Sequence, residues 1–291
     1  MQDQEILASI VVPAHNEEEA IGSVLDEVIA TMTPLGIAYE IIVVDDGSTD
    51  GTRAVCERRQ GVKVISHPYN RGAGAARSTG VRVAKGRHII MIDADGSYPT
   101  SVIPSMLDDL AEYDMVIGAR DRETGTLRWL RSAAKNFIRA LASYLTQTRI
   151  PDLNSGLRAM KREQVLEFLP ILPTTHSWVS TITMAFLSNG YNVRWIPIAY
   201  RKRVGRSSFH PVADTYNYLS LVVRAIMYFN PLRVFLPVSL TVLLVGAVKM
   251  IYDIIAYRFH FAPSTVILMI GGLQLGAIGL LADLIVRRSK L

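Results

Sequence analysis

Short apolar runs recur along the first 120 positions, each followed by a segment of helical period. Ser9-Ile10-Val11-Val12-Pro13 predicts a strand, and 17–32 a helix whose first turn carries Glu17, Glu18 and Glu19, where the helix dipole favours acid. Further strands are expected at 40–45, 62–65, 87–93 and 115–118, with helices at 49–59, 73–84 and 100–112 between them. The run that ends at Asp93 is continuous rather than alternating, as in a strand buried on both faces. Such alternation of strand and helix predicts a doubly wound, mostly parallel α/β sheet. No internal repeat or low-complexity tract interrupts it.

Beyond Arg120 the pattern changes. Segment 128–147 is amphipathic, with Leu130, Ala134, Phe137, Ile138, Leu141 and Leu145 on one broad face and Arg131, Lys135 and Arg139 in a line beside it. It can lie in a membrane interface or pack on the sheet as a surface helix. Segment 214–229 has a similar apolar face and leads through Asn230-Pro231 into two long apolar stretches, 234–257 and 265–286. At 1.5 Å per residue either can cross a hydrocarbon core of about 30 Å. A buried helical hairpin is the alternative. Lys249 and Asp253, four residues apart, can pair on one face near the far end of the first stretch. Gly272 and Gly276 have the GxxxG spacing of close helix contact, within the hairpin or between copies, though a glycine-rich span gives this spacing by chance as well. The expected organisation is therefore a domain over 1–230 and a transmembrane hairpin over 231–291.

Composition sharpens this picture. The chain of 291 residues has 49% hydrophobic residues, a mean hydropathy of +0.23, one cysteine and a net charge of +5. Cys56 alone forms no internal disulfide and fits a reducing compartment. The first residues do not resemble a signal peptide. Arg224 and Arg233 precede the first stretch, and Arg287, Arg288 and Lys290 follow the second, whereas the short connection holds only Arg258 and His260. With the basic residues outside the hairpin, both termini and the 1–230 domain are expected on the cytoplasmic face. The charge suits a membrane surface and anionic ligands. No basic-aromatic module for nucleic acid is visible.

Candidate chemistry collects where the strands end. The fourth strand ends in Asp93-Ala94-Asp95, two hard oxygen donors that suit Mg²⁺ or Mn²⁺ on a diphosphate. The second ends in Asp45-Asp46, and the first in Pro13-Ala14-His15-Asn16-Glu17. In open α/β sheets these ends face one ligand crevice. Gly72-Ala73-Gly74 is no dinucleotide fingerprint: His67-Pro68 breaks the approach and Arg77 stands at the third glycine position.

Val12-Pro13-Ala14-His15-Asn16-Glu17-Glu18, Val44-Asp45-Asp46-Gly47-Ser48-Thr49-Asp50 and Asp93-Ala94-Asp95-Gly96 resemble the inverting family 2 glycosyltransferases of the GT-A fold. Ala75-Ala76-Arg77-Ser78-Thr79-Gly80 is similar to that family's Ala-Arg-Asn-x-Gly segment. Asp152-Leu153-Asn154-Ser155-Gly156-Leu157-Arg158 and Arg203-Val204-Gly205-Arg206-Ser207-Ser208 resemble the acceptor-side and donor-side loops of dolichyl- and polyprenyl-phosphate sugar synthases. The resemblance implies that Pro13, His15, Glu17, Asp45 and Asp46, with Arg71 nearby, hold the nucleoside of a nucleotide-sugar. It implies that Asp93 and Asp95 hold the metal, that Arg206 closes on the donor phosphates, and that Arg120, Arg131 and Lys135 receive the phosphate of a polyprenyl or dolichyl lipid.

The chain departs from the mannose synthases at Gly96-Ser97, where they commonly carry Leu-Gln with a glutamine that can contact the metal. It departs again at His15, where a tyrosine is common. The first departure leaves the sugar and a third metal contact open; the second bears on the base. Lipid phosphate is ionised at neutral pH, so transfer needs alignment of two anions and stabilisation of the departing diphosphate more than a strong base. A processive polysaccharide synthase shares the first half of this pattern, but Gly125 stands where its Gln-x-x-Arg-Trp motif needs glutamine before Arg128-Trp129. A non-catalytic scaffold on the same fold is the other alternative, although the aspartates are intact.

Overall fold

The structure, a computed structural model, describes residues 5–120, 140, 143–144, 147–175, 177–201, 231–256 and 262–288. The chain divides into two compact units, Met1–Leu221 and Val222–Leu291. Segment 128–147 falls largely, and 214–229 wholly, outside the described residues, as do Arg131, Lys135 and Arg206.

In the first unit, β1 (Ala8–Ala14), α1 (Ile21–Met32), β2 (Tyr39–Asp45), α2 (Thr52–Glu57), β3 (Val62–Ser66), α3 (Ala73–Val83), β4 (His88–Met91), α4 (Ile103–Asp109) and β5 (Met115–Arg120) follow the predicted order. Then come β6 (Arg158–Lys161), α5 (Arg162–Phe168), α6 (Trp178–Ser188) and β7 (Val193–Ile198), for which the hydrophobic pattern gave no expectation. Among the described residues they form one seven-stranded sheet, ordered β3-β2-β1-β4-β6-β5-β7. Only β6 is antiparallel to its neighbours.

Every residue of β1 is buried. Ile10 and Val12 pack with Ile21, Val24, Leu25 and Val28 of α1 on one face. Val11 meets α3 on the other, where any side chain at Gly80 would overlap it. Each such aliphatic side chain contributes roughly 1.5–3 kcal/mol when fully buried. The expected start of α1 is corrected: the helix begins at Ile21, and the three glutamates form the turn before it. They serve the neighbouring loop instead. The Glu17 amide donates to Thr52 Oγ1 at 2.8 Å, and the Glu18 carboxylate accepts from the Gly51 amide at 2.6 Å.

The chain winds outward from β1 to β3, then returns to place β4 on the other side of β1. This reversal is the switch point at which open α/β sheets open a crevice. The C-terminal ends of the parallel strands and the start of antiparallel β6 all lie along that edge.

In the second unit, α7 (Leu232–Ala256) and α8 (Pro263–Arg288) are long and apolar enough to cross a membrane, with mean hydropathies of 2.2 and 2.0 over the spans. They pack through small residues. A side chain at Gly272 would meet Leu243, one at Gly276 Ser239, and one at Gly279 Phe235. Ser239 Oγ donates to the Gly272 carbonyl at 2.8 Å. The GxxxG face is thus occupied by the chain's own first helix. Lys249 pairs with Asp253 at 3.2 Å, as expected. Asp253 also accepts from the Ala262 amide at 3.0 Å and from the Thr265 hydroxyl, so it caps the start of α8 from the other helix.

Candidate active site

The ends of β1 and β2 lie side by side, with Ala14 opposite Asp45. His15 Nδ1 contacts the Asp46 carbonyl at 2.9 Å, and Asp45 Oδ1 accepts from the Ser48 amide at 3.1 Å. Asp46 is buried and turned inward. Its Oδ1 meets His67 Nδ1 at 2.6 Å and the Arg71 amide at 2.9 Å; its Oδ2 accepts from the Gly72 amide at 2.7 Å. His67 in turn contacts Thr79 Oγ1 of α3 at 2.9 Å. Asp46 therefore holds the loop that carries the exposed Arg71 and starts α3.

Gly72 and Gly74 permit that start. Gly72 has φ +96°, and its missing Cβ would stand 2.5 Å from the Thr174 carbonyl oxygen. A Cβ on Gly74 would stand 2.5 Å from the Thr175 oxygen. These glycines admit a neighbouring backbone segment, which is why they looked like a phosphate loop without its context. One turn and a half further along α3, Arg77 Nη2 donates to Asp93 Oδ1 at 2.7 Å. Helix α3 thus links the two acidic strand ends, from Asp46 to Asp93.

Asp93 lies two residues beyond β4 and its side chain remains 29% exposed. Asp95 is buried, and its Oδ1 accepts from both the amide and the hydroxyl of Ser97. The residue at the family's glutamine position therefore orients a carboxylate. On the other side, any side chain at Gly156 would overlap the Asp93 carboxylate.

Arg120 ends β5 and grips Asp152 in a fork, Nε to Oδ2 at 2.7 Å and Nη2 to Oδ1 at 2.9 Å. Its guanidinium also stands 5.4 Å from the centre of the Tyr200 ring. Burial works to raise the Asp152 carboxyl, but the Arg120 bonds and charge, with amide bonds from Asn154 and Arg120, hold it below the usual carboxylate range. Tyr98 packs edge-on to Tyr200 and accepts from the Gly156 amide at 2.7 Å. Burial, then the Asp93 charge, pushes its phenol upward, so it stays protonated. Arg158 at the start of β6 is fully buried and bonds the Ser155 and Val179 carbonyls. Burial, with the Arg77 charge adding, lowers it to about 10, which still leaves it charged at neutral pH.

The described residues thus gather Pro13, His15, Glu17, Asp45, Asp46, Arg71, Asp93, Asp95 and Arg120 along one edge. His67, Arg77, Ser97, Asp152 and Arg158 join them with no role assigned from the sequence. Arg77, Asp152 and Arg158 stand in motifs that carry the family resemblance; His67 has no signal beyond breaking a loop. Among the described residues no group of three or more His, Cys, Asp or Glu is set to hold a metal. Asp93 and Asp95 are two carboxylates, and one or two carboxylates with substrate phosphates and water are the donor set that Mg²⁺-type ions take.

The fold is that of the GT-A glycosyltransferases. Glucosyl-3-phosphoglycerate synthase of Mycobacterium tuberculosis, in complex with Mn²⁺, UDP and glucosyl-3-phosphoglycerate, matches 76% of this chain and 80% of its own, with a TM-score of 0.61 at 22% identity. Its complex with Mn²⁺ and UDP-glucose matches with a TM-score of 0.59 at 21% identity, over 76% of this chain and 79% of that one. Sequence narrows the class. Residues 9–167 match the model of Glycosyl transferase family 2, and the chain belongs to that family. Residues 230–287 match the GtrB C-terminal hairpin. A dolichyl-phosphate hexose transferase of Haloferax volcanii is 32% identical over 207 residues, 70% of this chain and 87% of the relative. A dodecaprenyl-phosphate galacturonate synthase of Rhizobium johnstonii is 30% identical over 60% of this chain and 54% of its own. An uncharacterised glycosyltransferase of Synechocystis is 33% identical over 54% and 51%. Apart from the Haloferax protein, the matches span about half the length of these relatives.

Proposed function

We propose that the chain is a membrane-bound inverting transferase that moves a hexose from a nucleotide-sugar, GDP-mannose or a UDP-sugar, to a polyprenyl or dolichyl phosphate. One observation carries this reading: a family 2 domain with Asp93, Asp95 and Arg120 at one crevice edge is joined to a hairpin long enough to cross a bilayer. The names of the Haloferax and Rhizobium relatives support the acceptor class, and the Mn²⁺–UDP complexes of the mycobacterial enzyme support the donor chemistry. The domain runs to about residue 230 and the hairpin from 231.

Asp93 and Asp95 hold Mg²⁺ or Mn²⁺, which when bound neutralises charge on the diphosphate. Pro13, His15, Glu17, Asp45 and Arg71 line the nucleoside side, and Asp46 shapes their loop. Arg206 closes on the donor phosphates. Arg120, Arg131 and Lys135 receive the lipid phosphate, Arg120 by exchanging its fork from Asp152 to a phosphate oxygen pair. The ionised phosphate then attacks the anomeric carbon in line, the bond to the nucleoside diphosphate breaks, and configuration inverts.

The test is purified full-length chain given undecaprenyl or dolichyl phosphate and a panel of UDP- and GDP-sugars. Release of nucleoside diphosphate that depends on the lipid is expected, with the sugar in an acid-labile lipid product. Release that ignores the lipid, or no release from any donor, overturns the reading. Both termini are proposed to be cytoplasmic. A cytoplasmic reporter fused after Leu291 should be active, and an inactive one would refute the two-span topology.

A further inference from the structure

Arg77 is an expensive side chain for a helix to bury. The residue is 5% exposed, yet it makes one ion pair, to Asp93 Oδ1, and its Nε and Nη1 have no hydrogen-bond partner among the described residues. A second buried arginine, Arg158, stands close enough for the two charges to repel, and its Nε is also without a partner there. Apolar residues of similar volume would pack this position at lower cost. Buried donors without partners call for a functional account. On its far side, the Asp93 carboxylate lies against Gly156, where even a methyl group would overlap both of its oxygens.

Resting on the transferase reading above, we propose that Arg77 is a positioning residue: with Gly156 it clamps the Asp93 carboxylate in a single orientation for the divalent cation that accompanies the donor. Arg77 takes Oδ1 by a charge-assisted bond, and Gly156, having no side chain, provides the space that the carboxylate occupies in that orientation. Ligating carboxylates are commonly held by such outer partners, whose loss lowers metal affinity about 10–100-fold. The clamp reaches α3 and the start of β6, so the metal carboxylate is fixed by two elements that carry no ligand themselves.

The experiment uses the full-length chain in detergent, with Mn²⁺ binding followed by electron paramagnetic resonance in the presence of UDP, and of GDP in a parallel series. Arg77→Met should weaken Mn²⁺ binding about tenfold or more, with Arg77→Lys recovering part of it. Gly156→Ala, which leaves Arg77 in place and needs no unusual backbone angle, should weaken it comparably. In an Asp93→Asn background, Arg77→Met should cost little further, because the carboxylate it holds is gone. Unchanged or tighter Mn²⁺ binding in both Arg77→Met and Gly156→Ala overturns the clamp, as does full additivity with Asp93→Asn. If the wild type itself binds no Mn²⁺ with either nucleotide, the metal-dependent transferase reading fails instead. Should Arg77→Met not fold, the Arg77→Lys and Gly156→Ala series decides the matter alone.

Discussion

Asp46 and Asp93 stand just past the ends of β2 and β4, the parallel strands on either side of β1, and each has a second acid close by in sequence. The fold treats them in opposite ways. Asp46 is 2% exposed and both its oxygens are taken, by His67 and by two loop amides. Asp93 keeps an open side and one arginine. The difference arises from the path of the chain beyond each strand. After β2 it turns under the 69–72 loop, whose amides need an acceptor; after β4 it turns away, and among the described residues Arg77 of α3 and Gly156 come up against the carboxylate. Asp93 is thereby left open towards the crevice, whereas Asp46 holds the loop beside it.

The strongest test of this contrast is loss of the two proposed metal carboxylates. Asp95→Ala should reduce lipid-dependent transfer more than about a thousandfold, and Asp93→Asn somewhat less because its amide oxygen can still approach a cation. Circular dichroism should show both folded, and EDTA should mimic them in the wild type. Turnover near wild type under all three conditions would remove the metal assignment.

Asp46→Asn should instead strike stability. Its amide group would face a backbone N–H, at a cost of roughly 2–4 kcal/mol for weakened bonds to a buried charge. At about 2–4 °C per kcal/mol, the melting temperature should fall clearly while activity of the folded fraction persists. If Asp93→Asn is the less stable of the two, the contrast is reversed.

Arg120→Ala should lower kcat/KM for lipid phosphate about ten- to a hundredfold, since a charge-assisted phosphate contact is worth roughly 1.5–3 kcal/mol. Calorimetric affinity for the nucleoside diphosphate should barely change. Equal losses in both would move Arg120 to the donor side.

The smallest effect concerns Asp152. Its folded carboxyl lies below the ordinary value of about 3.9, so its stabilising contribution is complete above that value and is lost as pH falls through the lower folded one. The stability gap between wild type and Asp152→Asn should hold from pH 7 to about pH 4 and close only below. A gap that fades by pH 6 would mean that the pair does not persist in solution.

The sequence revealed the first five strands because four contain a continuous apolar run and the third alternates about Lys63, each set between helices, and revealed the crevice because carboxylates fall at strand ends. It concealed β6, where Arg158-Ala159-Met160-Lys161 is short and carries two cations; the buried Arg158 reaches the Val179 carbonyl, which only the tertiary fold supplies, and the Ser155 carbonyl. It also concealed β7, which contains Pro197. The glutamates before α1 had the composition of a helix start but were drawn to the neighbouring loop. The division of labour between Asp46 and Asp93 was illegible for the same reason: it depends on amides and a histidine brought together from 21 to 26 positions away.

The fork between Arg120 and Asp152 joins positions 32 residues apart, just where the chain leaves the crevice by β5 and before it returns by β6. It acts as a clasp at the base of that excursion. A phosphate that drew the guanidinium away would leave Asp152 the amides of Arg120 and Asn154, so acceptor binding and the anchorage of this turn are coupled through one carboxylate.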